Sequence, residues 1–202
     1  MARQKLIFAT GNADKLREFK EMLDEKEFEI MTMTEAGADV EIIEDGKTFE
    51  ENARIKARTV AAKVDGIVVA DDSGLVVDAL GGEPGVYSSR YMGEDTPYEL
   101  KNAKIIERLA GLPKERRTAR FVCAMDVVFP NGEEQTVTGV MEGYIGEEPM
   151  GENGFGYDPI FYVEPQNVST AYLSPDEKNA ISHRGKALRA VKEIVENYNG
   201  IV

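Results

Sequence analysis

The stretch IVVADDSG, residues 67–74, indicates the fold most directly. Four consecutive apolar residues, 67–70, lie between Asp65-Gly66 and a pair of carboxylates. A short run that is apolar at every position is typical of a strand buried on both faces, as in the parallel part of an α/β sheet. The sequence therefore predicts an α/β fold with helices on the faces of this strand.

Asp71 and Asp72 follow directly after the apolar run. Ligands of open α/β sheets bind at the carboxyl ends of strands, where a carboxylate can hold Mg²⁺ or accept a proton from water. If the backbone is still extended there, the two side chains point to opposite sides, and only one of them enters a given cleft. The alternative is a charged turn closed by Ser73 and Gly74.

Strand and helix patterns alternate along the rest of the chain. Asn131-Gly132 is a strong hairpin signal between two long β-rich stretches. Parallel βα units together with this hairpin imply a mixed β-sheet flanked by helices, in a single domain over residues 1–202. The further predicted strands are 5–9, 28–33, 118–129, 134–145 and 155–163, and the predicted helices are 12–23, 48–64, 97–109 and 182–198.

The charge of the chain limits the classes of ligand. Its 202 residues include 24 Lys and Arg against 37 Asp and Glu, a net charge of −13. Proteins that coat nucleic-acid polymers or anionic membranes need an extended basic face, so we expect neither partner. Screening limits the reach of a charge to about 8 Å at physiological salt. A small polyanion in a local basic pocket therefore remains compatible with the net charge.

Cys123 is the single cysteine and His183 the single histidine. One cysteine excludes an intrachain disulfide and fits a reducing compartment, and a Cys/His zinc site cannot be built from this chain alone. The sequence has neither an apolar run long enough to span a bilayer nor the pattern of a signal peptide. We therefore expect a cytoplasmic protein.

Thr10-Gly11-Asn12-Ala13-Asp14-Lys15 lies between a predicted strand and a predicted helix. Backbone N–H groups and the helix dipole at such a junction bind phosphate. The alternative is a turn in which Asn12 caps the helix. Because the dipole disfavours a lysine in the first turn, Lys15 favours a bound anion.

The acidic patch before Gly46 and a lysine of the second predicted helix each have a functional interpretation and a simpler structural one. Glu41, Glu44 and Asp45 form an acidic patch that is either a solvated turn or, if the fold brings it beside Asp72, part of a Mg²⁺ site. Lys56 lies off the apolar face of its predicted helix, where it is either a surface lysine or a phosphate contact.

Two segments near the C-terminus are suited to binding a flat, acceptor-rich ligand. In GFGYDP, residues 154–159, glycines stand beside aromatic residues and an acid, which suits stacking of a ring and reading of its edge, although a strand entry with a turn is the alternative. Lys178 and the run Ser182-His183-Arg184-Gly185-Lys186 follow. Ser182 can cap the last helix, and cations at that helix start suit an acceptor-rich ligand.

Taken in order, the motifs TGNADK, EDGKTFEENARIKA, ADDSGLVVDALGGEPGVYSSRY, GFGYDPIF and EKNAISHRGKAL resemble the inosine triphosphate pyrophosphatase family. These motifs run from residue 10 to residue 188. The resemblance implies an elongated, two-lobed α/β fold with a central substrate cleft, and a homodimer. It also implies Mg²⁺-dependent hydrolysis of ITP, dITP and XTP to the monophosphate and pyrophosphate, which cleanses the nucleotide pool.

The resemblance also implies roles for individual residues. Asp72 resembles the general base or metal-organising carboxylate, with Lys15 and Lys56 as catalytic lysines near the phosphates. Glu44 and Asp72 correspond to the metal ligands. The substrate-binding residues that the resemblance implies are Thr10, Gly11, Asn12, Ala13, Asp14, Lys15, Ser73, Phe155, Gly156, Tyr157, Asp158, Lys178, His183 and Arg184.

Two other functions remain open at this point. A related pyrophosphatase for pyrimidine or modified nucleotides would share the phosphate-binding half, and only residues 155–158 and 183–184 favour a purine. A non-catalytic nucleotide-binding protein would not need the acidic residues Glu44 and Asp72.

Overall fold

The computed structural model describes residues 4–23, 28–38 and 40–198. Within these ranges seven strands form one sheet in the order β2-β1-β3-β4-β5-β6-β7. The strands are β1 (Gln4–Phe8), β2 (Phe28–Thr32), β3 (Ile67–Val77), β4 (Thr118–Val128), β5 (Glu134–Ile145), β6 (Phe161–Val163) and β7 (Val168–Ser169). The predicted α/β class, a mixed sheet with helices, is confirmed.

Helices connect the strands in the described part of the chain. They are α1 (Ala13–Met22), α2 (Phe49–Ala61), α3 (Tyr98–Arg108), α4 (Pro175–Ile181) and α5 (His183–Glu196). Short 3₁₀ turns lie at 78–80, 85–87, 114–116 and 158–160. None of these helices is long and apolar enough to cross a membrane.

Three predictions of local structure were wrong or incomplete. The strand that begins at Ile67 does not end at residue 70 but continues through the carboxylates to Val77. The strand predicted over 155–163 begins only at Phe161, because left-handed glycines and a 3₁₀ turn precede it. Helix α4 was missed, although Ser174 and Glu177 form a capping box that its sequence contains.

The described residues form two compact units. Within the described ranges, the first unit takes residues up to Asp72, Cys123–Gly139 and the chain from Arg184 onward. The second unit takes Ser73–Val122 and Val140–His183. The chain therefore passes from one unit to the other inside β3, β4 and β5, and again between His183 and Arg184 at the start of α5.

The core of the first unit follows the alternation of side chains along its parallel strands. Strand β1 pairs in parallel with both β2 and β3. Ile67 and Val69 pack in one cluster with residues of α1 and α5, whereas Val68 and Ala70 pack in another with residues of α2. Because successive strand residues face opposite sides, the next two positions, 71 and 72, continue onto these two faces.

The second unit is built on antiparallel strands. Strand β6 pairs antiparallel with β5 and with β7. Its core contains Leu75 of β3, Ile105 of α3 and Phe161 of β6. The buried Arg117 closes the start of the β4–β5 hairpin, since its guanidinium donates to the carbonyl oxygens of Leu109, Ile145 and Gly146.

Candidate active site

The predicted phosphate loop, residues 10–15, is an N-capped helix start in the first unit. The Asn12 side chain accepts hydrogen bonds from the N–H groups of Asp14, at 2.9 Å, and Lys15, at 3.1 Å. The Asn12 N–H itself donates to Thr10 Oγ1 at 3.1 Å. The capping role of Asn12 is therefore confirmed. Among the described residues no acceptor takes the N–H groups of Gly11 and Ala13, so phosphate contact by this loop stays a prediction that rests on those two groups.

Asp71 lies on the α1 and α5 side of β3 and binds two cations. Its side chain is 0% exposed, and Oδ2 lies 2.7 Å from Lys15 Nζ and 3.7 Å from Arg184 Nη2. Burial alone would raise the pKa of Asp71, but the charges of Lys15, Arg184 and Lys56 outweigh it and hold the pKa well below its usual range. The Asp71 carboxylate is therefore ionised at neutral pH and orients two of the predicted substrate-binding side chains.

Arg184 has a second carboxylate partner, Glu18 of α1. Glu18 is 6% exposed and Arg184 3% exposed, so both charges are withdrawn from solvent. Glu18 is not among the residues predicted from the sequence. Its spacing of three residues after Lys15 places it one helical turn further along α1, and this was the available signal.

Asp72 lies on the α2 side of the same strand. Its Oδ2 accepts a hydrogen bond from Asn52 Nδ2 at 3.0 Å, and its Oδ1 lies 3.7 Å from Lys56 Nζ. Burial raises the pKa of Asp72 above its ordinary value, and the opposing effects of Lys56 and Asn52 are smaller. Asp72 is thus the carboxylate of the pair that is better suited to accept a proton.

Glu44, one residue of the acidic patch, meets Asp72 through Lys56. Lys56 Nζ donates to Glu44 Oε2 at 3.0 Å. Burial would lower the pKa of Lys56, but Asp71, Asp72 and Glu44 together raise it, so the lysine is charged. The fold therefore brings Glu44, Lys56 and Asp72 together, which is the condition that the sequence left open, and Lys56 is a buried lysine.

Asn52 is a further member of this group that the sequence analysis missed. While its Nδ2 donates to Asp72, its Oδ1 accepts a hydrogen bond from the N–H of Gly46 at 2.9 Å. A Cβ atom at Gly46 would lie 2.6 Å from that Oδ1, so the site requires glycine there. Asn52 precedes Lys56 by four residues on α2, and this spacing was the signal that could have found it.

The donor set of this group fits a magnesium ion. Among the described residues, Glu44 and Asp72 are the two carboxylates within 4.0 Å of Lys56 Nζ. Within the described ranges there is no group of three or more His, Cys, Asp or Glu side chains around a common point. Mg²⁺ commonly takes only one or two carboxylates and completes its shell with water and substrate phosphates. These two residues could hold it.

The predicted base-binding loop lies in the second unit, and hydrogen bonds to the carboxylate of Asp158 stabilise it. Asp158 is 3% exposed. Its Oδ2 accepts hydrogen bonds from Phe155 N at 2.8 Å and from Lys178 Nζ at 2.7 Å, and its Oδ1 accepts one from Thr170 Oγ1 at 2.8 Å. Lys178 Nζ also lies 5.1 Å from the centroid of the Phe155 ring. The structure thus brings Phe155, Asp158 and Lys178 together.

Three other predicted residues of the second unit have different surroundings. Tyr157 is 4% exposed, and its hydroxyl donates to the Ser88 carbonyl at 2.7 Å, so its ring belongs to the core. His183 stacks on Phe121 with the ring centroids 4.8 Å apart. Ser73 is half-buried in β3 directly after Asp72. Direct substrate contact by these side chains stays a prediction.

Known proteins resemble this chain over nearly its full length. The sequence model of the Ham1 family matches residues 6–194. A dITP/XTP pyrophosphatase of Bacillus subtilis (strain 168) is 50% identical over 190 residues, which cover 94% of this chain and 96% of that protein. A dITP/XTP pyrophosphatase of Bacillus licheniformis is 48% identical and covers 96% of this chain and 98% of its own length.

Solved structures give the same result for the fold. The Staphylococcus aureus Ham1 protein superposes with a TM-score of 0.86 at 38% identity, covering 96% of this chain and 98% of its own. A HAM1 protein from Coxiella burnetii gives a TM-score of 0.85 at 40% identity, covering 96% of this chain and 100% of its own. The resemblance that the sequence motifs indicated is confirmed. The chain belongs to the Ham1 family.

Proposed function

We propose that the chain hydrolyses ITP, dITP and XTP to the nucleoside monophosphate and pyrophosphate, with Mg²⁺ as its metal ion. The observation that carries the proposal is the group formed by Glu44, Lys56 and Asp72, in which two carboxylates meet one buried lysine. Nucleotide binding alone does not need these acids, but phosphoryl chemistry does. Nucleoside triphosphate pyrophosphatase activity as such follows from family membership and from 50% identity to a dITP/XTP pyrophosphatase.

In the proposed reaction water attacks the α-phosphorus and pyrophosphate leaves. Asp72 orients the water and accepts its proton, which is the role of a general base. Asn52 keeps the carboxylate in place through its 3.0 Å hydrogen bond. Lys15 and Lys56 neutralise charge on the phosphate oxygens. Mg²⁺, when bound by Glu44 and Asp72, would supply further neutralisation of that charge.

Selectivity for the base follows from hydrogen-bond chemistry. Hypoxanthine and xanthine present an acceptor oxygen at position 6, whereas adenine presents a donor amine there. We propose that donors, namely backbone N–H groups and Arg184 as oriented by Glu18 and Asp71, satisfy the oxygen. Adenine would leave such donors unpaired, at a cost of about 1–3 kcal/mol for each, and sites of this kind discriminate by about 10⁴-fold.

One assay tests the reaction and its selectivity. The purified protein is given Mg²⁺ and, separately, ITP, XTP, dITP, GTP, ATP and dTTP, and the products are identified. We expect pyrophosphate and the monophosphate from the first three. Release of orthophosphate and a diphosphate would contradict attack at the α-phosphorus. Equal turnover of ATP and ITP would contradict the selectivity, and preference for dTTP would favour the pyrimidine alternative.

The metal requirement is tested by chelation. We expect EDTA to abolish turnover of ITP and added Mg²⁺ to restore it, because Lys56 supplies one positive charge against the two carboxylates Glu44 and Asp72, and a triphosphate beside them requires a further cation. The control is the melting temperature in the same buffers, which shows whether EDTA has unfolded the protein. Full activity in EDTA would contradict a metal-dependent mechanism.

We further propose a cytoplasmic homodimer that cleanses the nucleotide pool and binds neither nucleic-acid polymers nor membranes. The net charge of −13 supports the exclusion of polyanionic partners. Light scattering after gel filtration tests the dimer, and a monomeric mass would contradict it.

A further inference from the structure

Asn102 is a buried amide of α3, in the second unit, that none of the predicted roles includes. It is 5% exposed, and its Nδ2 donates to the carbonyl oxygen of Gly156 at 3.1 Å. Its Oδ1 is buried and accepts no hydrogen bond within the described ranges. A buried acceptor without a partner costs free energy, so a buried amide at this position calls for a reason beyond packing.

The carbonyl that Asn102 holds belongs to the loop proposed to contact the base. Gly154 and Gly156 have φ of +71° and +67°, a left-handed conformation that other residues rarely adopt. Residues on both sides of Gly156 have anchors of their own, since Phe155 N donates to Asp158 and the Tyr157 hydroxyl donates to Ser88. Among the described residues Asn102 is the one hydrogen-bond partner of the Gly156 carbonyl.

Holding this carbonyl also orients a backbone donor. In a trans peptide unit the C=O and the following N–H lie in one plane and point in opposite directions. The N–H that follows Gly156 is that of Tyr157, and no described residue accepts a hydrogen bond from it. Asn102 therefore donates to the Gly156 carbonyl of this peptide unit, and the Tyr157 N–H of the same unit is directed away from α3. A 6-oxo purine requires a donor of this kind.

We propose that Asn102 is a positioning residue for purine selectivity, which acts by fixing the Gly156–Tyr157 peptide unit. This inference rests on the proposed function, because it takes the loop 155–158 as the base contact. Asn102 does not touch the substrate in this proposal. Its loss lets the peptide unit rotate, so the donor is no longer held where it satisfies an acceptor at position 6 and rejects an amine.

The test compares full-length Asn102→Leu and wild-type protein with Mg²⁺. Leucine keeps the shape of the side chain but cannot donate. We expect kcat/KM for ITP to fall about tenfold, mainly through KM, and kcat/KM for ATP to fall less, so that the ITP-to-ATP ratio decreases. The inhibition constant of inorganic tripolyphosphate, which has no base, should stay within about twofold of wild type.

Two further variants make the result interpretable. The matched control is Lys104→Ala. Lys104 is partly exposed on the same helix and pairs with Glu107 at 2.9 Å, and its loss should change neither the ITP-to-ATP ratio nor the inhibition constant of tripolyphosphate. Asn102→Asp also keeps the shape and can donate only when protonated, which burial favours. We expect its ITP-to-ATP ratio, relative to wild type, to recover as the pH falls, and this readout serves if the leucine variant does not fold.

Distinct outcomes overturn distinct claims. A folded Asn102→Leu protein with the wild-type ITP-to-ATP ratio would overturn the role of Asn102 and leave the proposed function intact. Equal losses for ITP, ATP and tripolyphosphate binding would show general structural damage and would likewise overturn it. A wild-type protein that does not prefer ITP to ATP would overturn the proposed function together with this inference.

Discussion

Asp71 and Asp72 are neighbours in the sequence, and they have opposite electrostatic surroundings. Asp71 contacts Lys15 and Arg184, and its pKa is held well below the usual range. Asp72 contacts Asn52 and Lys56, and burial raises its pKa. The extended backbone separates them, because adjacent strand residues face opposite sides. One carboxylate can therefore organise cations while its neighbour is suited to accept a proton.

Asp72→Asn tests the proton acceptor. We expect kcat for ITP to fall by about 10² to 10⁴-fold, the range that general-base removal produces, with an unchanged melting temperature because asparagine can still accept the Asn52 hydrogen bond. Asp65→Asn, in the exposed turn before the same strand, is the matched control and should retain activity. Full activity of Asp72→Asn would remove Asp72 from its assigned role.

Asp71→Asn tests the buried ion pairs. Removing this carboxylate leaves the charge of Lys15 without its partner at 2.7 Å, and we expect a loss of about 3–5 kcal/mol in the free energy of unfolding. Urea denaturation measures it. The double variant Lys15→Met, Asp71→Asn should be less destabilised than the sum of the two single variants, since both charges of the pair are then absent. Simple additivity would contradict a coupled pair.

At the scale of elements, the β4–β5 hairpin carries a further buried carboxylate, Asp126, which lies outside the proposed site. Asp126 is 0% exposed. Thr136 Oγ1 donates to its Oδ1 at 2.7 Å, and Arg54 Nε lies 3.9 Å from the same oxygen. The neighbouring Arg58 is engaged by Glu134, to which it donates at 2.8 Å and 3.0 Å. Burial is the largest effect on Asp126 and raises its pKa to about 6.

This raised pKa predicts a pH-dependent stability. The ordinary value is 3.8, so between about pH 4 and 6 the folded protein binds more protons at Asp126 than the unfolded chain does. Stability from this group is therefore greatest at low pH and is lost as the pH rises through 6. Relative to Asp126→Asn, the wild-type free energy of unfolding should increase by about 1 kcal/mol between pH 7 and pH 5.

Urea denaturation of both proteins at the two pH values measures this difference. The same comparison with Asp65→Asn, in an exposed turn, serves as the control and should show little change. A wild-type minus Asp126→Asn difference that does not depend on pH would contradict the raised pKa.

At the scale of the whole molecule, the excess of acidic residues that gives the net charge of −13 includes the carboxylates that pair with the cations of the site. The sequence is compatible with a local basic pocket within an acidic protein. In the structure, each lysine and arginine of the predicted site has a carboxylate partner. Lys15 pairs with Asp71, Lys56 with Glu44 and Asp72, Lys178 with Asp158, and Arg184 with Glu18 and Asp71. The cations are therefore fixed in position before a ligand arrives, which lowers the reorganisation that catalysis requires.

The chain's one thiol can report on unfolding of the whole molecule. Cys123 is 0% exposed within the core of the first unit. We expect a thiol reagent to label it at least about 100-fold more slowly in native buffer than in denaturant, because the sulfur becomes accessible only on opening of that core. Reducing agents should leave the melting temperature unchanged. Rapid labelling of the native protein would contradict the observed burial.

The sequence alone determined most of the helices and strands and the family. The apolar run 67–70 predicted the buried strand, the Asn131-Gly132 turn predicted the hairpin, and the motifs between residues 10 and 188 indicated the family. These features depend on local propensity, side-chain period and short motifs, which residues close together in the chain define. The sequence could not show that β3 continues through Asp71 and Asp72, because the partners that stabilise these charges come from α1, α2 and α5.

Only the tertiary structure decided which groups meet. Glu18 and Arg184 are 166 residues apart in sequence, and Asn102 lies 54 residues from the carbonyl it holds. The pKa values of Asp71 and Asp72 differ for the same reason, since each depends on charges and burial supplied by distant segments. Sequence patterns record which face a side chain takes, whereas electrostatic interactions depend on distances between atoms, and only folding sets those distances.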